Sequence, residues 1–376
     1  MATTHVFIVD ANTFKYHLEY LFVGTGAKDE IIDFNNCATT NMHATKENNL
    51  LGMIADSQRL RSGDFVIFYL QQNFAEGIRE GKFYGVFKIK HAPAFLDNND
   101  SQQFLKEQLG KSLTFRASIE PLQVYSEGVT EWEALDEIRN IQSPNQMLWS
   151  LIYRKLKGNR GNTMITFYES ERLNSLIRNK NHEKTLKNAG FSFDKDKQQI
   201  IESVATKEYT GRKTTINVLP RLNSKYNAGN QFETHLQAYI LQNLENTGIF
   251  GSSSIEWIGN EVSCGVGMQR IDIMVSVAAT NRKIMPAELK STSAKRETIA
   301  QLQRYVTWIE QYYIPNHPSD IEPIIIARET TNKTANEYRE FVRALQEFNA
   351  KNCILPTRYV EFTVQQHQII FNQVSY

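Results

Sequence analysis

The sequence predicts a protein of mixed α+β and α/β character in two domains. A small β-barrel is expected in the N-terminal half, and an α/β domain with a mixed central sheet in the C-terminal half. Three observations carry this expectation. The chain has 376 residues, 41% hydrophobic and 11% aromatic, enough for two domains with real cores. Its first third holds short runs rich in β-branched and aromatic residues. From Gln231 onward, helical and strand periods alternate.

Taken in order, His5–Asp10 (HVFIVD), Asp64–Leu70 (DFVIFYL), Lys82–Lys90 (KFYGVFKIK) and Leu113–Tyr125 read as strands. Arg61-Ser62-Gly63-Asp64 and Glu80-Gly81 supply turns before the second and third. Leu50, Leu51, Ile54 and, later, Leu60 suit a helix over 48–60. Short strands with few interposed helices suggest a small barrel or half-barrel. Residues 147–181 then predict a helix up to Leu156, a basic loop Lys157–Gly161, a strand Met164–Tyr168 and a helix from Ser170. The polar, weakly periodic stretch 188–230 is expected to contain the junction. The expected domains are therefore 1–190 and 229–376, joined through 191–228.

In the second of these, Phe232, Leu236, Tyr239, Ile240 and Leu244 fall at helical spacing. Ile271–Val277 and Ile284–Lys290 are expected strands flanking a turn at 279–282. Thr298–Tyr313 carries Ile299, Leu302, Val306 and Ile309 on one helical stripe. Pro323–Ala327 is a continuous apolar run, the mark of a strand buried on both faces. A helix Glu337–Phe348 and a strand Arg358–Phe362 complete the mixed sheet.

Composition narrows the class. Cys37, Cys264 and Cys353 are isolated, which argues against a disulfide framework or a cysteine zinc site and fits a reducing cytoplasm. The eight histidines show no HxH or HxxxH spacing. The N-terminus lacks the pattern of a signal peptide, and no apolar run approaches the roughly 18 residues of a membrane helix. A soluble, cytoplasmic protein without a membrane partner is expected. Net charge is only +1, but residues 1–150 hold 13 Lys and Arg against 19 Asp and Glu, and residues 151–213 hold 14 against 7. A basic segment between acidic and neutral flanks suits either a footprint for a polyanion or a solvated surface.

The stretch Gly265–Ser291 places charge inside an apolar hairpin. Side chains two apart on a strand share a face, so Glu288 and Lys290 point together, away from Leu289. Asp272 lies between Ile271 and Ile273, on the face opposite theirs. If the strands pair, Asp272, Glu288 and Lys290 converge, with the Leu289 carbonyl close by. Two adjacent carboxylates repel unless a cation sits between them, and Mg²⁺ accepts a few carboxylate oxygens while keeping waters and phosphate oxygens. A lysine beside them can orient or deprotonate water and stabilise charge on a phosphate. Glu233 sits at the edge of an apolar helix stripe, and Gln301 and Tyr305 share a helix face.

These residues resemble the PD-(D/E)XK nuclease fold: an acid on a first helix, Asp on the second strand, Glu-x-Lys on the third, then a helix. Gln301-Leu302-Gln303-Arg304-Tyr305 resembles the QxxxY motif of the RecB-like branch. IDIMVS and PAELKSTSAKRETIAQLQRYVTWIE also resemble the catalytic domain of NucS/EndoMS-type endonucleases, over about the last 150 residues. The resemblance implies Asp272 and Glu288 as metal ligands with the Leu289 carbonyl, and Lys290 as the water-orienting residue. It implies that Glu233 reaches the metal through water, and that Gln301 and Tyr305 shape the site. The proline that usually precedes the aspartate is replaced here by Ile271.

In the first half, GDFVIFYL followed by KFYGVFKIKHAPAF resembles PUA-like domains of the EVE and YTH type, in which a small barrel holds a base, often a modified one. The resemblance makes Phe68, Tyr69, Phe83 and Tyr84 candidates to stack on an extruded base; barrel core is the other reading. Trp132, Trp149, Trp257 and Trp308 all stand off the early strands, a departure that tells against a Trp-built cage. Lys155, Lys157 and Arg160 lie among glycines in a loop suited to grip phosphates or a base edge. The expectation is a Mg²⁺-dependent DNA endonuclease, with Mn²⁺ able to substitute. A restriction enzyme, modification-dependent or sequence-specific, is expected to act on double-stranded DNA, with two copies needed to cut both strands. The alternatives are a repair endonuclease for mismatched or branched DNA, and a non-catalytic nucleic-acid-binding protein.

Overall fold

The structure is a computed structural model describing residues 2–26, 31–33, 44–91, 94–136, 139, 141–147, 161–187, 189–204, 206–251, 254–264, 269–278 and 282–376. The chain forms two compact units. The N-terminal unit comprises Ala2–Ile32 and Asp56–Ile216, and the C-terminal unit Asp33–Ala55 and Asn217–Tyr376.

The N-terminal unit begins with β1 (Thr4–Val9), α1 (Phe14–Glu19) and β2 (Phe22–Thr25). Helix α2 (Ala44–Gln58) follows, and its residues up to Ala55 belong to the C-terminal unit. Next come β3 (Phe65–Leu70), β4 (Lys82–Ile89), β5 (Phe95–Leu96), α3 (Lys106–Leu109) and β6 (Phe115–Pro121). Then follow β7 (Val129–Thr130), α4 (Glu131–Asp136), β8 (Asn162–Ile165) and α5 (Phe167–Lys180). The hairpin β9 (Gly190–Asp194) and β10 (Gln199–Ser203) precedes β11 (Thr214–Thr215). Apart from that hairpin, the strands form one nine-stranded sheet along the path β11-β5-β6-β4-β3-β1-β8, with β2 on β6 and β7 on β4. Among the described residues of this sheet, only β1 and β3 run parallel.

Both faces of this sheet are covered. Val6, Ile67, Tyr69 and Phe83 pack with Leu173 and Ile177 of α5. Their strand neighbours Phe7, Phe68 and Tyr84 pack on the other side with Phe14 of α1 and with Phe191 and Phe193 of the hairpin. Two-sided burial is why HVFIVD and FVIFYL are apolar without alternation. The expected small barrel is corrected by this arrangement. Among the described residues the strand path does not close, since β11 pairs only with β5 and β8 only with β1. Helices and a hairpin seal the faces that barrel closure would have hidden.

Two expected boundaries move. The polar stretch after residue 190 belongs to the N-terminal unit: it forms the hairpin, β11 pairs with β5 through Thr214 and Leu96, and Arg212 bonds Asp97 and Asp100. Helix α5 starts at Phe167 rather than Ser170 because Thr166 caps it. The Thr166 hydroxyl accepts the Glu169 N–H while Glu169 accepts the Thr166 N–H, a reciprocal cap. The expected helix up to Leu156 and the basic loop lie, from residue 148 to 160, outside the described residues.

The C-terminal unit continues with α6 (Leu219–Asn227), α7 (Glu233–Gln242), β12 (Ile255–Ser263), β13 (Arg270–Val277) and β14 (Lys283–Lys290). It ends with α8 (Arg296–Trp308), β15 (Ile324–Arg328), α9 (Asn336–Lys351), β16 (Arg358–Val364) and β17 (Ile369–Val374). The six strands form one sheet in chain order, antiparallel from β12 to β14, parallel through β15 and β16, and antiparallel at β17. The mixed sheet is as expected, but β12 and β17 add edges that the sequence reading did not include.

Residues 44–55 join this unit through Glu47, whose carboxylate is fully buried. It accepts Arg221 Nε at 2.6 Å, Lys225 Nζ at 2.8 Å and His235 Nε2 at 2.9 Å. Burial pushes the Glu47 carboxyl up, but these donors outweigh it and hold it below the usual carboxylate range. Burial also lowers the His235 pKa, so the ring is neutral near pH 7 and donates through Nε2. Among the described residues, no helix is long and apolar enough to cross a membrane.

Candidate functional site

Strands β13 and β14 pair antiparallel with Ile273 opposite Ala287 and Met274 opposite Pro286. The same register, extended by one residue, sets Asp272 against Glu288. Alternation then turns Asp272, Glu288 and Lys290 to one face and leaves Ile271, Ile273, Ala287 and Leu289 buried on the other. Helix α8 packs against β14 and brings Tyr305 to the charged face.

Contacts there are short. Glu288, only 2% exposed, accepts Lys290 Nζ on Oε1 at 2.6 Å and the Tyr305 hydroxyl on Oε2 at 2.5 Å. The same hydroxyl stands 2.8 Å from the Arg270 carbonyl. Asp272, half-buried, accepts the Leu289 N–H on Oδ2 at 2.7 Å. Gln237, one turn after Glu233 on α7, donates to the Asp272 carbonyl at 2.7 Å. Glu233 opens α7 and accepts both the N–H and the hydroxyl of Ser291, just past the end of β14.

Electrostatics separates these groups. Burial, and then the Glu288 carboxylate, push the Asp272 carboxyl well above its ordinary range, against the Leu289 N–H and Lys290. For Lys290, burial pulls the pKa down, but the charge and hydrogen bond of Glu288 win, and the ammonium is held more firmly than usual. Tyr305 is raised by burial first and Glu288 second, so it remains a phenol and a donor.

Among the described residues, no group of three or more His, Cys, Asp or Glu side chains stands ready to hold a metal ion. The Asp272–Glu288 pair nonetheless suits one hard divalent cation. Mg²⁺ takes one or two carboxylates and fills its shell with water and phosphate oxygens. The upward push on Asp272 comes from burial first and from the neighbouring Glu288 carboxylate second, and a cation bound between the two acids would relieve the second.

The expected residues divide clearly. Asp272, Glu288, Lys290 and Tyr305 meet, Leu289 contributes its N–H, and Glu233 stands at the rim beside Ser291. Gln301 lies half-buried one turn before Tyr305, without a hydrogen bond to the cluster. Phe68, Tyr69, Phe83 and Tyr84 are 0–4% exposed. Phe68 packs on Phe14 and Phe87, Tyr69 on Phe83, and the Tyr84 hydroxyl donates to the Gln198 carbonyl. Rings enclosed in this way have no free face for a base, so the stacking role expected of them is corrected to core. Lys155, Lys157 and Arg160 lie outside the described residues. Gln237 and Ser291 escaped the sequence reading, although Gln237 stands four residues from Glu233 and Ser291 directly follows Lys290.

No family model matches the chain, and a comparison with curated proteins gives no match. Among solved structures, a hypothetical protein from Leishmania major is similar over 48% of this chain and 97% of its own, at 9% identity and a TM-score of 0.29. Human THYN1, solved in complex with 5-methylcytosine containing DNA, is similar over 47% of this chain and 98% of its own, at 10% identity and a TM-score of 0.25. At these scores neither likeness bears on the fold or the function of this chain.

Proposed function

We propose that the C-terminal unit hydrolyses DNA phosphodiesters with the help of a divalent cation, and that the N-terminal unit, PUA-like in character, reads the DNA. The observation that carries this reading is the convergence of Asp272, Glu288 and Lys290 on one sheet face, with Tyr305 bonded to Glu288. The motif order around them, Asp, then Glu-x-Lys, then Gln-x-x-x-Tyr, supports it. A restriction endonuclease is the role that best suits a reader joined to a cutter, and two copies would cut both strands.

Asp272, Glu288 and the Leu289 carbonyl would hold Mg²⁺ or Mn²⁺. Bound there, the ion would lend Lewis acidity to the scissile phosphate and acidify a water. Lys290 stays protonated at neutral pH, so its part is to orient water and stabilise charge growing on the phosphate rather than to act as base. Tyr305 fixes the Glu288 carboxylate from behind. Glu233, held by Ser291 at the end of β14, adds negative charge near Lys290.

The test is cleavage of unmodified, cytosine-methylated and mismatched DNA by the full chain with Mg²⁺. Asp272→Asn, Glu288→Gln and Lys290→Ala should each lower the rate by about a hundredfold or more. Duplex binding without metal should persist in all three. Wild-type rates in Lys290→Ala, or no cleavage of any substrate by the wild type, would sink the reading. Which of the three substrates is cut separates restriction from repair.

A further inference from the structure

Arg328 ends β15, one residue past Ala327, which is the parallel partner of Lys290. Its N–H donates to the Thr292 carbonyl at 3.1 Å, so it stands at the carboxyl rim of the sheet beside the end of β14. Open α/β sheets take their ligands at this rim. Five other arginines of the unit, Arg221, Arg270, Arg282, Arg343 and Arg358, each pair with a carboxylate, while Arg339 bonds the Thr334 carbonyl. Among the described residues Arg328 pairs with no carboxylate. Its guanidinium is centred 4.4 Å from the Tyr226 ring of α6 and is half-buried. Tyr226 is itself braced by Phe232, which packs on Phe362, the β16 partner of Arg328. An arginine laid on a ring keeps its planar fork oriented while its donors stay open.

Position adds to this. Arg328 pairs with Phe362 and so shares the face on which Phe232 packs, whereas Lys290 lies on the face of Tyr305. Glu233, the residue after Phe232, reaches the same rim through Ser291. One cation therefore comes to the rim from each side of two adjacent strands, whose axes are about 5 Å apart.

We infer that Arg328, oriented by Tyr226, grips a backbone phosphate of the DNA strand next to the one that is cut. The inference rests on the nuclease reading of the same rim. Arg328 is then a binding residue for the substrate strand, and Tyr226 positions it. A guanidinium fork takes two phosphate oxygens at once, which a lysine cannot do.

The experiment uses the full chain without metal and a fluorescent duplex of mixed sequence, titrated between 50 and 200 mM salt, as the range that resolves a phosphate contact. Arg328→Ala should weaken binding by about tenfold. It should also lower the slope of log affinity against log salt by about 0.9, the signature of one lost phosphate contact. Tyr226→Leu should shift affinity the same way by a smaller factor, while Tyr226→Phe, which keeps the ring, should match the wild type. With Mg²⁺, KM should rise more than kcat falls. Wild-type affinity and slope in Arg328→Ala would overturn the inference and leave the nuclease reading standing. A wild type that binds no duplex would overturn that reading itself. Should Arg328→Ala fail to fold, Arg328→Lys decides: weaker binding at an unchanged slope supports the phosphate fork, and wild-type binding overturns it.

Discussion

Among the buried carboxylates of the C-terminal unit, those at Glu47 and on the face of β13 and β14 have opposite charge balance. Around Glu47, one carboxylate receives Arg221, Lys225 and His235. On the face of β13 and β14, Asp272 and Glu288 share a single ammonium, a phenol and one backbone N–H. Burial alone would raise every carboxyl pKa. Donors outnumber the acid at Glu47 and its pKa falls; at the second cluster burial first and the Glu288 carboxylate second raise Asp272, and the single cation does not offset them. The difference teaches that burial does not mark a site. A surplus of donors describes a fastening, and a surplus of acid describes a place that a cation would complete.

Removing each acid should separate the two cases most strongly. Glu47→Ala leaves Arg221 and Lys225 facing a buried gap and His235 without its acceptor, a loss of about 3 kcal/mol in the stability of the C-terminal unit. Asp272→Asn removes one of two like charges, so the metal-free protein should lose nothing or gain stability. Urea unfolding followed by Trp257 fluorescence measures both, since that ring is 2% exposed within the unit. Equal losses in the two variants would break the comparison.

These two clusters also differ in how far the sequence discloses them. The hairpin was legible because period-two charge within apolar strands is a local pattern: Asp272, Glu288 and Lys290 all lie within 19 residues. The Glu47 fastening was not legible, because its partners lie 174 to 188 residues away. Strands with continuous apolar runs, such as β3 and β15, declared themselves. Strand β12 did not, since Glu256, Gly259, Asn260 and Glu261 interrupt IEWIGNEVS, and edge strand β17 is half-exposed. In the N-terminal unit, strand aromatics read as a base platform through the family resemblance, but more readily as core from their residue type. Only the second covered face of the sheet decides that Phe68 and Tyr84 are core. Arg328 carries no sequence signal at all, because what singles it out is a ring on α6.

A smaller effect should appear in pH dependence. The folded His235 pKa lies below its ordinary 6.5, so below that pH the unfolded chain binds a proton that the fold refuses. Glu47 acts in the same direction below 4.5, its stabilising contribution being lost as pH falls through its depressed value. Asp272 opposes both: raised above 3.8, it binds in the fold a proton that the unfolded chain has released, so its term costs stability as pH rises. Metal-free stability should therefore fall from pH 7 to 5 in the wild type. The fall should be shallower in His235→Asn and steeper in Asp272→Asn. Melting temperatures at several pH values check this, and an unchanged profile in both variants would place the pH dependence elsewhere.

The smallest change in stability is expected at Gln301. Tyr305 is 3% exposed and bonded to Glu288, whereas Gln301, one turn earlier on α8, is half-buried and free of the cluster. Tyr305→Phe removes a hydrogen bond to a buried carboxylate and should destabilise the unit by about 1.5 kcal/mol. Gln301→Ala removes no bond and should stay within about 0.5 kcal/mol of the wild type. If Gln301 borders the phosphate during cleavage, its truncation should still lower kcat substantially, because its contact would form only with substrate present. Unfolding and turnover measured on the same preparation separate the two effects. A stability loss with unchanged activity per folded molecule would make Gln301 part of the helix packing and remove it from the site.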